Sequence, residues 1–289
     1  MSTTSTPLRY PGGKSRLARF FSYMLRMNSI TDCAYVEPFA GGAGAAINLL
    51  RKEYVRTLYL NDIDYGIYSF WYTVLHHTDD ICRRLAYVPL TIEEWHRQRD
   101  IVNNPQNSSV EELGFAVLFM NRTNRSGIIK GGVIGGQKQT GKWKIDARFN
   151  RLILIEKIKR IALYRERINL FCMDAHDFLT DVIMEYKQKM FIYLDPPYYE
   201  MGKALYKNHY KHNDHLSLSE TLKSFNDKPW VISYDNVPQI KTFYENYQQI
   251  TYGINYSAAD RYTGKEIMFF SHLIKQPILE DPLSISNYA

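Results

Sequence analysis

An α/β architecture, a doubly wound sheet interrupted by one long insertion, follows from three features of the 289-residue chain. Two strand-like runs near the N-terminus flank a glycine turn and a helical stretch. Two more apolar strand runs, both ending in acid, reappear after residue 165. Between them lie about 100 residues of helical and glycine-rich basic sequence with no strand pattern. Strand, turn, helix, strand, acid is the opening of a doubly wound sheet, whose ligands sit beyond the carboxyl ends of its strands. The expected division is a core of residues 1–65 and 165–289 and a mainly helical insert of 66–164.

The first element is the apolar run AYVEPFA, residues 34–40, which leads into Gly41-Gly42-Ala43-Gly44 and the helical pattern AAINLLRKE. VRTLYLND is the second strand, ending in Asn61-Asp62-Ile63-Asp64. In the insert, Thr91 with Glu94 and Ser109 with Glu112 are capping-box signals, each opening a helix. Residues 121–145 hold six glycines and six Lys or Arg, which breaks the periodicity and predicts a loop or hairpin. RFNRLILIEKIKRIALY is a basic amphipathic helix, RINLFCMD a strand, DFLTDVIMEY a helix, and MFIYL and PWVISYDN two further strands. A hairpin is expected within ITYGINYSAADRYTGKEIMFFSHLI.

Composition excludes several classes. With 45% hydrophobic and 23% charged residues the chain is globular rather than disordered or fibrous. No apolar run approaches the roughly 20 residues of a membrane helix, and no apolar leader opens the sequence, so a cytoplasmic protein is expected. Cys33, Cys82 and Cys172 are odd in number and far apart, the pattern of reduced thiols rather than a disulfide or zinc framework. The net charge of +6 is unevenly placed: residues 121–160 hold eleven basic groups and two acids, and residues 1–30 hold five basic groups and no acid. The rest is net negative, so the basic segments have the character of a polyanion-binding surface.

Three motifs carry chemistry. Glu37-Pro38-Phe39-Ala40-Gly41-Gly42-Ala43-Gly44 lets backbone approach a ligand at a helix N-terminus. It is neither GxGxxG nor a P-loop. Asp62 at the end of the next strand can accept the hydroxyls of a ribose, so turn and acid together point to an adenosine-containing ligand. Asp195-Pro196-Pro197-Tyr198 places a carboxylate and an aromatic ring on a rigid backbone at a strand end. His209, His212 and His215 are spaced like ligands but lack a Cys partner, and no metal is expected.

The DPPY segment downstream of such a turn resembles the amino-methyltransferases that use S-adenosylmethionine, and most closely the Dam-like D12 class of adenine-N6 DNA methyltransferases. LRYPGGKSRL, VEPFAGGAGAAINLL, FMNRTNRSGI and Ser233-Tyr234-Asp235-Asn236 support this, in the family's order. The resemblance implies a Rossmann-like methyltransferase sheet with a target-recognition insert. It implies methyl transfer from S-adenosylmethionine, with S-adenosylhomocysteine as product, to N6 of a flipped-out adenine in double-stranded DNA. Asp195, Pro196, Pro197 and Tyr198 are the implied catalytic residues, with Tyr198 stacking on the flipped base.

For the cofactor it implies Tyr10, Gly13, Lys14, Glu37, Pro38, Phe39, Ala40, Gly41, Gly42, Gly44, Asp62, Ile63 and Asp195. For the cofactor's adenine, Asp177 fits the family and Asp174 fits generic sheet geometry, and both stand. For DNA it implies Arg122, Asn124, Arg125, Lys130, Lys138, Lys142, Lys144 and Arg148, with Arg151 as a further phosphate contact. Tyr199, Lys203, Tyr206, Lys207, Tyr210 and Lys211 form a second DNA-facing stretch. Where GATC readers have a GEFNVPFG-like segment, this chain has KGGVIGGQKQTGKWK, so a GATC target does not follow. A prokaryotic or phage origin, a restriction–modification setting and action as a monomer or weak dimer are expected. Two other readings remain: a DNA-binding regulator on an inactive fold, and methylation of RNA or of a glutamine amide.

Overall fold

The computed structural model describes residues 6–9, 14–200, 210–256, 262–277 and 282–283. Tyr10, Gly13, Lys203, Tyr206, Lys207 and His209 lie outside the described residues.

Seven strands form one mixed sheet: β1 Ala34–Glu37, β2 Thr57–Asn61, β3 Ile168–Phe171, β4 Met190–Leu194, β5 Trp230–Asp235, β6 Gln248–Tyr256 and β7 Tyr262–Phe270. Their order is β3-β2-β1-β4-β5-β7-β6. The first five run parallel. β7 runs antiparallel to β5, and β6 to β7, which is the expected C-terminal hairpin. β1 and β4 are neighbours from which the chain winds outward in both directions, so their carboxyl ends mark the topological switch point. β1, β4 and β5 are buried throughout, as parallel strands covered on both faces must be.

One face is covered by α1 Ala18–Met27, α2 Gly44–Arg51 and the inserted helices α3 Tyr65–His76, α4 Thr78–Tyr87, α5 Ile92–Asn103, α6 Val110–Thr123 and α7 Arg151–Ala162. Their buried residues form one continuous apolar cluster, from Phe21, Tyr35 and Tyr193 at the sheet to Phe70, Trp95 and Phe119 in the insert. The other face is covered by α8 Ala175–Asp177, with its π-helical extension Phe178–Ile183, and by α9 His212–Ser224 and α10 Pro238–Phe243.

Of the two capping boxes expected in the insert, one closes and the other forms by half. Ser109 Oγ accepts from the Glu112 amide at 3.2 Å, and Glu112 Oε2 accepts from the Ser109 amide at 3.0 Å, a closed reciprocal box. Thr91 caps α5 through the Glu94 amide, but the Glu94 carboxylate turns to Arg97 and Gln98 instead. The chain before α1 is tied to the insert: the Asn121 side chain accepts from the Arg9 amide and donates to the Arg9 carbonyl, both at 2.8 Å.

Candidate active site

The site assembles at the carboxyl ends of the parallel strands. After β1 the backbone turns sharply, with Gly41 at φ +45° and Ala43 at φ +44°, and α2 begins at Gly44. A Cβ on Gly44 would lie 2.4 Å from Ser15 Oγ and 3.3 Å from the Ser15 backbone nitrogen, so a side chain there would force the Ser15 hydroxyl to move. That glycine serves close packing of the N-terminal segment on α2.

Three side chains hold the turn in place. Asn61, fully buried, donates to the Pro38 carbonyl at 3.0 Å and the Met173 carbonyl at 3.1 Å, and accepts from the Met173 amide at 3.0 Å. It therefore braces the ends of β1, β2 and β3 together. Asp62 accepts from the Gly41 amide at 2.8 Å through one oxygen and from the Asp64 amide at 2.9 Å through the other. Burial pushes its carboxyl up to about 6, against the pull of those two amides. Each oxygen keeps a lone pair for a further donor. Trp71 on α3 donates its indole N–H to the Gly41 carbonyl at 2.9 Å, which bolts the insert to the turn. Ile63 and Asp64 are exposed, and Asp64 caps α3 through the Gly66 amide.

At the end of β4 the Asp195-Pro196-Pro197-Tyr198 segment meets a buried charge cluster. Lys14 Nζ is 3.1 Å from Asp195 Oδ1 and 3.1 Å from Glu266 Oε1 on β7, and it donates to the Tyr198 hydroxyl at 2.7 Å. The Tyr198 hydroxyl also donates to Glu266, whose other oxygen accepts from Tyr252 at 2.6 Å. Ser233 donates to Asp195 Oδ1 at 3.2 Å and is itself bonded to Tyr193 at 2.7 Å. Both of these Asp195 contacts fall on Oδ1, its side chain is 27% exposed, and Oδ2 has no hydrogen-bond partner among the described residues. Burial pulls the Lys14 ammonium down, but the two carboxylates outweigh it and hold it above its ordinary value. Burial pushes Asp195 up, with Lys14 opposing. Tyr198 is only 7% exposed, and its hydroxyl is locked inward on Lys14 and Glu266.

Glu37, 5% exposed, accepts from the Tyr35 hydroxyl at 3.0 Å. Burial pushes its carboxyl up to about 8, Tyr35 opposes and Asp195 adds to the rise. Phe39 packs edge-on to Tyr210 at 5.7 Å. Burial raises the Tyr210 phenol, and the nearby charge of Asp174 adds to the rise. Asp174 caps α8 through the His176 amide at 2.8 Å, and Asp177 is exposed within that helix.

Sequence reasoning missed Glu266, Tyr252, Tyr193 and the bracing role of Asn61. An acid inside the apolar run EIMFF was the available signal for Glu266.

The second stretch after DPPY, where described, packs onto the catalytic side. Tyr199 bonds His212 at 2.8 Å, and its amide and that of Glu200 donate to the Asp235 carboxylate, both at 2.9 Å. His215 bonds the Tyr234 hydroxyl at 3.1 Å, and burial pushes its imidazole down to about 4. Among the described residues no group of three or more His, Cys, Asp or Glu is placed to hold a metal. Nor, among them, is any helix long and apolar enough to cross a membrane.

The basic insert divides into exposed and committed residues. Arg125, Lys130, Lys138, Lys142, Lys144 and Arg148 are exposed. Arg122 is partly buried, its Nε has no hydrogen-bond partner among the described residues, and burial together with Arg9 and Arg148 pushes its guanidinium down to about 10. Asn124 is fully buried: it accepts from the Trp95 indole at 2.7 Å and spends both amide hydrogens on the carbonyls of Ile128 and Ile129. Arg151 donates to the Leu85 and Val88 carbonyls at the end of α4, at 2.5 and 2.6 Å. These two side chains hold the insert together and have few donors left for DNA.

A doubly wound sheet with a glycine turn, a following acid and a DPPY segment at the switch point defines the class: an amino-methyltransferase. The chain matches the D12 class N6 adenine-specific DNA methyltransferases over residues 10–259, and it belongs to that family. It is an adenine-specific DNA methyltransferase. It is similar to the type II methyltransferase M.MjaIII of Methanocaldococcus jannaschii, with 23% identity over 213 residues, covering 68% of this chain and 70% of that protein. Among solved structures it is similar to a putative RNA methyltransferase from Pyrococcus horikoshii, with 10% identity, a TM-score of 0.42, and coverage of 91% of this chain and 85% of that one.

Proposed function

We propose that the enzyme methylates N6 of an adenine flipped out of duplex DNA, with S-adenosylmethionine held at the β1–β2–β3 ends. The observation that carries this reading is the pose of Asp195 at the end of β4: one oxygen anchored by Lys14 and Ser233, the other without a hydrogen-bond partner among the described residues. The N6 lone pair is delocalised into the ring, so the amine needs an acceptor that orients its hydrogens. Asp195 Oδ2 accepts one N6–H and the Pro196 carbonyl the other, which favours a pyramidal nitrogen with its lone pair free. With the lone pair exposed toward a bound methyl donor, Asp195 would take the surplus N6 proton that methylation releases. Tyr198, fixed through Lys14 and Glu266, offers a pre-oriented ring to the extruded base.

The donor set suits the cofactor. Lys14, Asp195 and Glu266 carry a formal net charge of −1, and the sulfonium, ammonium and carboxylate of S-adenosylmethionine sum to +1. Asp62 is the ribose acceptor, Glu37 to Gly42 line the methionine side, and Asp174 or Asp177 receives the cofactor adenine. When bound, the cofactor supplies an electrophilic methyl group.

Residues 66–164 are the target-recognition insert, with Arg122, Arg125, Lys130, Lys138, Lys142, Lys144 and Arg148 toward phosphates or bases. The M.MjaIII likeness supports a place in a type II restriction–modification system. One protomer acting on one site fits the chain's layout.

Transfer of labelled methyl from the cofactor to duplex DNA tests this, with Asp195→Ala as control. Label on N6-methyladenine with the wild type and none with the variant is expected. No transfer to any duplex, or equal transfer by Asp195→Ala, refutes the reading, and label entering RNA alone refutes the substrate.

A further inference from the structure

Three of the four tryptophans are in the core: Trp71 and Trp95 are fully buried and Trp230 is 1% exposed. Trp143 is 65% exposed. A large amphipathic ring left in water is the informative exception to apolar burial. Its surroundings are cationic. The segment 122–145 contains Arg122, Arg125, Lys130, Lys138, Lys142 and Lys144 and not one acid. Lys142 Nζ lies 5.9 Å from the indole centroid, and Lys138, Lys142 and Lys144 are exposed.

The loop that carries the ring is tied down. Val133 and Ile145, 2% and 5% exposed, root its two ends in the core. Gln139 donates to the Ile134 and Gly136 carbonyls at 2.8 and 2.7 Å and accepts from the Ile145 amide at 2.9 Å. The Gly141 amide donates to the Gly135 carbonyl at 3.2 Å. Gly135, at φ +87°, sits so close that a Cβ there would be 2.7 Å from the Trp143 carbonyl. The backbone beneath the indole is therefore set in advance, and little ordering cost remains when the ring meets a partner.

A rigid aromatic face fringed by lysines matches a polyanion that also offers π faces. An acidic protein would satisfy the lysines and leave the indole unused. We propose that Trp143 inserts its ring at an unstacked base step of the bound DNA, making a base contact while Lys138, Lys142 and Lys144 hold the flanking phosphates. The proposal rests on the DNA methyltransferase reading.

The core position of the other three tryptophans makes Trp143 its own reporter. Acrylamide quenching of the indole emission in the full chain should fall on adding duplex DNA that carries the methylated site, and should not fall on adding polyglutamate. Trp143→Ala should weaken binding of that duplex roughly 5- to 150-fold, the equivalent of about 1–3 kcal/mol for one base stack. The slope of log K against log salt should stay unchanged, and Trp143→Phe should recover part of the loss. Wild-type affinity in Trp143→Ala, or unaltered quenching with DNA bound, overturns the proposal, as does equal protection by polyglutamate. A wild type that binds no duplex at all instead sinks the underlying DNA reading, so the two failures are distinguishable.

Discussion

The most direct physical test of the site is Glu37→Gln. Glu37 ends β1 inside the switch point, 5% exposed, and burial raises its carboxyl from its ordinary 4.5 to about 8. The folded state thus binds this proton more tightly than the unfolded chain. The sign follows from linkage: the contribution is fully present below about pH 4.5 and is lost as pH rises through about 8. At about 1.4 kcal/mol per pH unit, the interval from 4.5 to about 8 amounts to about 5 kcal/mol as an upper bound. Glutamine copies the protonated acid and keeps the acceptor for the Tyr35 hydroxyl, but it cannot ionise. The stability of Glu37→Gln relative to the wild type should therefore climb steadily between pH 5 and 8 and level off above it. Urea unfolding at half-unit steps from pH 5 to 9 measures the difference. A difference constant within about 1 kcal/mol across that range would show that Glu37 is not held neutral, and the charge argument for this corner of the site would fall.

Other outcomes follow from the same contacts. On the proposed placement, cofactor binding brings net positive charge beside Glu37 and should release a fraction of a proton at pH 7; calorimetry in buffers of different ionisation enthalpy reads this, and Glu37→Gln should reduce it to the share left by Asp62 and Asp195. Glu266→Gln removes a charged acceptor from Lys14 and Tyr198 but leaves Lys14 paired with Asp195. At about 1.5–3 kcal/mol for such bonds, kcat should drop roughly 10- to 150-fold with KM for DNA retained, and an unchanged kcat would remove Glu266 from the positioning of the site. Asn124→Ala orphans the Trp95 indole N–H and should cost about 1–3 kcal/mol in thermal or urea unfolding, with the salt slope of DNA binding unaltered. Lys138→Gln, by contrast, should leave stability alone and reduce that slope by about 0.9, the release of one counterion; an unchanged slope removes Lys138 from the phosphate contacts.

The parallel half of the sheet was legible because β1, β4 and β5 are buried throughout and its strands read as apolar runs ended by acids or glycine. The capping pairs Thr91–Glu94 and Ser109–Glu112 marked helix starts correctly, since their signal lies within three residues. The hairpin of β6 and β7 was readable as well. What the sequence concealed is long-range. Glu266 joins Lys14 across 252 residues, and only the antiparallel pairing of β7 with β5 brings it to the switch point. Asn61 looked like part of an acidic strand end, yet its contacts to Pro38 and Met173 exist only once three strands align. Asn124 and Arg151 belonged by composition to a basic surface, but their partners on α4 and α5 turn them inward. Charge tallies reveal a surface; they do not reveal which of its members have been recruited into the frame.

Trp71 has a consequence beyond bracing. It stands near the start of the insert, and its indole grips the carbonyl of Gly41, the residue whose amide grips Asp62. On the proposed assignment of the insert to DNA and of Asp62 to the ribose, one chain of hydrogen bonds links the two compartments, and a shift of α3 reaches Asp62. By reciprocity, the factor by which DNA changes affinity for the methyl donor must equal the factor by which the donor changes affinity for DNA. Weakening that bond, as in Trp71→Phe, should bring both factors toward one together.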